Sequence, residues 1–185
     1  GNKIITAGSG GMILTNNNEL AKKARYLIKQ AKDDDLKYIH NNIGYNYAQT
    51  NVHAAIGLAQ FENINKILQY KKILYKKYVD SISKISGIEI ATTPEYAESN
   101  HWLNIIKINK DVYKKNANGL MKTFIKNNIF VRPIWLPNHM QNMYKNNQKY
   151  KVNEATKLHA NSLCLPSSYN LSNLEFEKII GILNE

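Results

Sequence analysis

A buried β-strand is predicted by Trp102-Leu103-Asn104-Ile105-Ile106-Lys107-Ile108, a run dominated by apolar and β-branched residues. Further strands are predicted at Ile88-Glu89-Ile90 and at Ile129-Phe130-Val131-Arg132-Pro133-Ile134. Apolar residues at helical spacing over residues 111–127 predict a helix before the last of these strands. The order strand, strand, helix, strand indicates a small α/β unit that runs from about residue 80 to the end of the chain.

Helical patterns also precede this unit. One helix is predicted over residues 19–32, with Asn18 as its N-cap. A second is predicted to begin at Asn51 behind the capping residue Thr50. Its apolar pattern continues much further than an ordinary globular helix, so we expect a break near residues 63–67.

The expected break divides the chain into two domains, residues 1–66 and residues 67–185. Within the second domain, two more helices are predicted at about residues 153–162 and 172–184, on either side of the turn Leu165-Pro166-Ser167-Ser168. No internal repeat accompanies these elements.

The composition limits the class of protein. Hydrophobic residues make up 43% of the 185 residues and charged residues 21%, which is typical of a globular protein. No apolar run approaches the roughly 20 residues that span a bilayer, so we expect a cytoplasmic protein without a membrane partner. The single cysteine, Cys164, argues against an internal disulfide or a zinc site.

The charge of the chain favours anionic partners. Lys and Arg number 25 against 14 Asp and Glu, a formal net charge of +11. The basic residues are dispersed in pairs that predict a solvated surface: Lys22-Lys23, Lys71-Lys72, Lys76-Lys77 and Lys114-Lys115. We therefore expect a phosphate-bearing small molecule and no nucleic acid. A basic nucleic-acid binder is the alternative, and it would lose affinity steeply with salt.

One lysine lies beside a loop of small residues. Lys3 is followed by two predicted strands, Ile4-Ile5-Thr6 and Met12-Ile13-Leu14-Thr15, which flank the loop Thr6-Ala7-Gly8-Ser9-Gly10-Gly11. A lysine amine can form a Schiff base with an aldehyde, and glycines allow the backbone to approach a ligand closely. The loop matches neither the P-loop pattern nor the dinucleotide fingerprint. A surface lysine is the alternative for Lys3.

The histidines show no metal-ligand spacing, and no metal site is predicted. His53 and His159 lie in predicted helices, where packing explains them, and only His139, in a proline-bounded loop, is a candidate for a ligand site. The five are His40, His53, His101, His139 and His159.

Three segments carry a family resemblance, namely residues 1–16, residues 39–60, and residues 131–141 with 163–168. Together they resemble the DegT/StrS family of nucleotide-sugar aminotransferases, which use pyridoxal phosphate. Residues 1–16 are similar to the segment around the family's cofactor lysine. Residues 39–60 contain Gly44-Tyr45-Asn46-Tyr47, which resembles the family's Gly-Tyr-Asn-Tyr loop, followed by a segment that resembles its alanine-rich helix. Residues 131–141 and 163–168 resemble its substrate loop and its closing Leu-Pro-Ser turn. The three occur in the family's order.

The resemblance implies a fold class and a cofactor. The class is α/β, the C-terminal part of a fold-type I pyridoxal 5'-phosphate-dependent transferase, namely the end of the large domain followed by the small domain. By resemblance, Lys3 holds the cofactor through its amine and moves protons between cofactor and substrate. Asn46 matches a residue that reaches the cofactor phosphate of the neighbouring subunit, which implies a homodimer.

The resemblance also implies the substrates. Within the family, this sequence is most similar to members of the bacillosamine and legionaminic acid pathways. The expected reaction moves an amino group from L-glutamate to a keto carbon, C4, of a UDP- or GDP-linked 4-keto-6-deoxy sugar for surface polysaccharide or glycan biosynthesis. Arg132 and His139 match positions near the sugar-nucleotide site; a strand surface charge and a turn cap are their alternatives.

Some family features are absent from this sequence. Ala48 stands where the family usually has arginine, and the glycine loop departs from the common form. The family's ring-nitrogen aspartate and phosphate-binding turn lie upstream of the equivalent of Lys3. We therefore expect the chain to be a truncated piece that is inactive by itself. The alternative is a non-catalytic fragment that dimerises or binds.

Overall fold

The structure, a computed structural model, describes residues 2–185, so that Gly1, the first residue of the lysine segment, lies outside it. The chain divides into two compact units, one ending at Asn65 and the other beginning at Lys66. Each unit has its own arrangement of elements.

The first unit contains two helices. Helix α1 spans Asn18–Ile28, and its N-cap is Asn17, because the Asn17 side chain accepts hydrogen bonds from the backbone of Glu19 and Leu20. The prediction of Asn18 as the cap is therefore wrong by one residue. The helix ends before residue 32 because Gln30 and Ala31 have positive φ angles of 67° and 49°, which a helix does not allow.

Helix α2 spans Asn51–Glu62 and begins as predicted, since Thr50 caps it by accepting a hydrogen bond from the His53 amide. The predicted break is also confirmed. Asn63 ends α2, and helix α3 follows over Ile64–Ile82.

The two strands predicted near the N-terminus are wrong. Residues 4–6 and 12–15 form no strand, and Met12, Ile13 and Leu14 are 82%, 72% and 86% exposed. A strand is stable only when a neighbouring strand completes its hydrogen bonds. Within residues 2–65 the structure holds no strand that could pair with them.

The second unit is built on a four-stranded antiparallel sheet with the order β1-β2-β4-β3. Strands β1 and β2 lie at predicted positions, over Ile88–Ile90 and Asn104–Ile108. Strand β3 is only Arg132–Pro133, and its proline is tolerated because β3 is an edge strand. Strand β4, Ser162–Leu165, was not predicted, although it is buried at every position.

Helices cover the sheet. Helix α4 spans Ala117–Lys126, shorter than predicted, while α5, Asn153–Asn161, and α6, Asn173–Asn184, lie close to their predicted positions. One apolar core joins α3, α4 and α6 to the inner side of the sheet. Its fully buried members include Tyr78, Ile106, Leu120, Phe124, Leu163, Ile179 and Leu183.

Lys71 corrects the expectation of a solvated lysine pair at residues 71–72. Lys71 is 6% exposed, and it lies between Ile67 and Leu74 on the buried face of α3. The ammonium group donates hydrogen bonds to the carbonyls of Ser167 and Trp102. Burial lowers the pKa of Lys71.

Tyr78 supports the same turn after β4. Its side chain is fully buried, and its hydroxyl donates a hydrogen bond of 2.9 Å to the Pro166 carbonyl. Tyr78→Phe should lower the free energy of unfolding at neutral pH by about 1–3 kcal/mol, because the Pro166 carbonyl loses its donor. Urea unfolding measures this change, and Tyr96→Phe, at a residue that is 92% exposed, is the control.

The pH dependence of this difference has a definite sign. Burial raises the pKa of Tyr78 above its ordinary value of 10.0, so that the unfolded chain loses this proton at a lower pH than the folded chain. The stability of the wild-type protein should therefore fall as the pH rises above 10. The difference in free energy of unfolding between the wild type and Tyr78→Phe should shrink over the same range. A difference that stays constant would contradict the buried hydrogen bond assigned to Tyr78.

No helix in residues 2–185 is both long enough and apolar enough to cross a membrane.

Candidate functional site

Lys3 and the glycine loop line a cavity of about 280 Å³ in the first unit. Lys3 is exposed, and the remaining lining comes from Ile5, from Thr6–Gly11 and from Gln49. Gly8 and Gly10 have φ angles of 82° and 92°, a region that residues with a Cβ rarely adopt. The loop therefore presents backbone groups beside a primary amine.

Two side chains contact this loop, one from the first turn of α2 and one from just before the helix. Nε2 of His53 lies 3.4 Å from the Ser9 hydroxyl, and Nδ1 of the same ring lies 2.9 Å from the Thr50 hydroxyl. The Gln49 amide donates to the Ser9 carbonyl at 3.5 Å. Gln49 and His53 thus connect the glycine loop to the helix start. Sequence reasoning did not select Gln49 and assigned His53 to helix packing.

Asn46 lies on a loop that is held against the end of α1. The Tyr45 amide donates to the Leu27 carbonyl at 3.0 Å, and the Tyr47 amide donates to the Ile28 carbonyl at 2.9 Å. The rings of Tyr45 and Tyr47 stack, with their centroids 5.2 Å apart. Asn46 is exposed between them. This loop places an amide side chain on the surface from a backbone that is anchored on both sides.

Gly44 permits the close approach of this loop. A Cβ at position 44 would lie 2.5 Å from the Ala31 nitrogen, 2.7 Å from the Gln30 carbonyl carbon and 2.7 Å from the Leu27 oxygen. All three atoms belong to the backbone, so none can move aside by a change of rotamer. Glycine is therefore required here by packing.

Arg132 lies in the second unit on the edge strand β3, where it pairs with Cys164 of β4. Its side chain is exposed. Strand register places Arg132 on the same side of the sheet as Cys164 and Ile105, away from the core residues Leu163 and Ile106. The position suits contact with a ligand, and it also fits the alternative of a surface charge on a strand.

His139 lies in the 3₁₀ turn Asn138–Met140 and is half-buried. Its Nε2 is 3.0 Å from the hydroxyl of Thr156, which lies on α5. His139 also lines a cavity of about 350 Å³ with residues of the 144–152 segment, and Arg132 is not part of that lining. The two residues therefore have separate surroundings within the second unit.

No metal centre is apparent in the part of the chain that the structure describes, since residues 2–185 contain no cluster of three or more potential ligands among His, Cys, Asp and Glu.

The sequence is similar to curated sugar aminotransferases. Residues 1–184 match the DegT/DnrJ/EryC1/StrS aminotransferase family. EpsN of Bacillus subtilis is 30% identical over 189 residues, which cover 99% of this chain and 47% of EpsN. GDP-perosamine synthase of Escherichia coli O157:H7 is 31% identical over 190 residues, covering 100% of this chain and 49% of that enzyme. The chain thus spans about half the length of the relatives that it matches.

Solved structures agree with the fold. The aminotransferase TlmJ of Streptoalloteichus hindustanus superposes with a TM-score of 0.84 at 19% identity, over 98% of this chain and 48% of TlmJ. The pyridoxal phosphate form of Spr1654, a sugar aminotransferase homologue from Streptococcus pneumoniae, superposes with a TM-score of 0.77 at 21% identity. The match covers 94% of this chain and 45% of Spr1654. The predicted fold class is confirmed. This fold and the family match over nearly the whole chain establish that the chain belongs to the DegT/DnrJ/EryC1/StrS aminotransferase family, whose members are pyridoxal phosphate enzymes.

Proposed function

We propose that this protein is an aminotransferase that moves the amino group of L-glutamate to C4 of a UDP- or GDP-linked 4-keto-6-deoxy sugar, for surface polysaccharide or glycan biosynthesis. The observation that carries the proposal is Lys3, which lies in a glycine-lined cavity of a chain that belongs to this family. Relatives from three bacteria are named GDP-perosamine synthase, which supports a sugar-nucleotide substrate.

The residues around Lys3 fit pyridoxal phosphate. An exposed primary amine suits the aldehyde of the cofactor, and the loop Thr6–Gly11 offers backbone close to that amine. When bound, the cofactor supplies an electron sink. Lys3 would hold it and carry protons at its Nζ atom, a task for which an amine is chemically suited.

Asn46 is proposed to bind the cofactor phosphate of a neighbouring subunit, as an amide donor on an anchored loop. A homodimer is part of this proposal. It is supported by α2, whose apolar residues are not confined to one face and none of which is buried; Val52, Leu58 and Phe61 are 69%, 59% and 60% exposed. A helix with apolar residues on more than one face is suited to be covered by another surface.

Arg132 and His139 are proposed to contact the sugar nucleotide. Arg132 is an exposed guanidinium that can bind diphosphate oxygens in a bidentate manner. The Nε2 atom of His139 already lies within hydrogen-bond distance of Thr156, so a ligand would use Nδ1. The cytoplasmic location and the lack of a nucleic-acid partner stay predictions.

An assay of the native gene product tests the proposal. The protein is incubated with pyridoxal phosphate, L-glutamate and each of the UDP- and GDP-linked 4-keto-6-deoxy sugars. We expect 2-oxoglutarate and a 4-amino sugar nucleotide to form in equal amounts. We also expect the molecular mass of the protein in solution to be that of two chains. The absence of 2-oxoglutarate with every sugar nucleotide would contradict the proposal. A dimer that takes up no cofactor would instead favour a non-catalytic binding protein.

A further inference from the structure

The two tryptophans of the sequence form a pair in the second unit. The ring centroids of Trp102 and Trp135 are 5.6 Å apart, and the ring planes are inclined by 37°. Trp102 is half-buried, whereas Trp135 is 63% exposed. Trp135 therefore packs against another indole and still presents much of its own surface outward.

The backbone on both sides of the pair is held in place. The Trp102 carbonyl accepts a hydrogen bond of 3.4 Å from the buried Lys71 ammonium, and the Trp102 amide donates to the Asn100 side chain at 3.1 Å. Next to Trp135, the Ile134 carbonyl accepts a hydrogen bond of 2.8 Å from Nδ1 of His159 on α5. An aromatic surface that is ordered before binding loses less conformational entropy when a ligand stacks on it.

Arg132 places a positive charge close to Trp135 along the sequence. It precedes Trp135 by three residues, and β3, which carries it, and β2, which follows Trp102, are the two neighbours of β4. The chain as a whole has a formal net charge of +11. A planar indole next to a strand that carries a guanidinium suits a ligand with a planar ring and an anionic group.

We propose that Trp135, supported from behind by Trp102, is the stacking surface for the nucleobase of a nucleoside diphosphate. This inference rests on the proposed function and adds the residues that bind the nucleoside part of the substrate. Stacking on an aromatic ring tolerates different bases, because every base has a π-face. The surface should therefore accept both a pyrimidine and a purine nucleotide.

Titration of the chain followed by intrinsic tryptophan fluorescence tests this inference. Trp102 and Trp135 are the two tryptophans of the sequence, so that the signal arises from this pair. The probes are UDP, GDP and inorganic pyrophosphate. We expect UDP and GDP to quench the fluorescence and to bind at least about tenfold more tightly than pyrophosphate. Equal affinity for pyrophosphate would show binding by charge alone and would overturn the inference.

The variant Trp135→Ala provides a second measurement, by calorimetry. Its affinity for UDP and GDP should fall by roughly 5- to 150-fold, the loss typical of one base–aromatic stack, while its affinity for pyrophosphate stays unchanged. Trp135→Phe should keep part of the affinity. The matched control is Tyr96→Ala, because Tyr96 is an exposed aromatic residue of the same unit. Wild-type affinity in Trp135→Ala, with an unchanged circular dichroism spectrum, would overturn the inference.

The inference and the proposed function can fail separately. If the native gene product aminates a sugar nucleotide and Trp135→Ala leaves its KM unchanged, the stacking surface is wrong and the function stands. If no sugar nucleotide is aminated, yet UDP and GDP bind through Trp135, the function is wrong and the binding surface stands.

Discussion

Alanine in place of Lys3 is expected to lower glutamate-dependent amination by at least about 10²–10⁴-fold, which is the range for the loss of one general acid–base group. The amine is proposed both to hold the cofactor and to move the proton between carbon atoms, and no other lysine lines the cavity with it. The measurement is kcat for the native gene product with saturating L-glutamate. The loss should appear mainly in kcat, because the change removes a chemical group from the site.

Two further variants make this result specific. Lys23→Ala removes an exposed lysine of α1 and should leave kcat within about twofold, since surface substitutions of this kind have small effects. Lys3→Arg keeps the positive charge but replaces the primary amine with a guanidinium, which stays protonated in proteins, so it should be as inactive as Lys3→Ala. Wild-type turnover in Lys3→Ala would exclude the proposed role of Lys3.

Replacement of Gly44 by alanine is expected to detach the Asn46 loop from the end of α1. The added Cβ would lie 2.5–2.7 Å from three backbone atoms, so that the loop must move outward. Movement would break the hydrogen bonds from the Tyr45 and Tyr47 amides to the Leu27 and Ile28 carbonyls. Strain and lost hydrogen bonds together should cost about 2–4 kcal/mol.

Hydrogen exchange measures this effect at the loop itself. The Tyr45 and Tyr47 amides should exchange about 30- to 1,000-fold faster in Gly44→Ala, which corresponds to that loss of local stability. Gly11→Ala is the matched control in the same unit, because its added Cβ meets no atom within 4 Å. Unchanged protection of both tyrosine amides in Gly44→Ala would contradict the proposed packing.

The helices were predictable from the sequence wherever the signal is local. The start of α2 follows from its capping residue Thr50. The break after Asn63 and the two C-terminal helices follow from local sequence patterns. The end of α1 was less predictable. It depends on positive φ angles at Gln30 and Ala31, and Ala31 is fully buried beneath the Gly44 backbone, a contact across thirteen residues.

The candidate site shows the same division. The glycine loop, its lysine and the Gly-Tyr-Asn-Tyr segment were visible as short patterns and indicated the family that the comparison confirms. The roles of Lys3, Asn46, Arg132 and His139 stay predictions. The contacts of Gln49 and His53 with Ser9 were not predictable, because residues 40 and 44 positions apart meet only after the chain folds.

Sequence patterns alone predicted the helical segments, three of the four strands and the α/β class, and they indicated the family. These features depend on neighbours within a few residues or on short motifs, and both can be read directly from the sequence. Tertiary structure decided that residues 12–15 remain exposed, that Ser162–Leu165 is a central strand, and that Lys71 is buried against two carbonyls. Strand pairing and burial are set by partners far away in sequence, and only the folded chain brings those partners together.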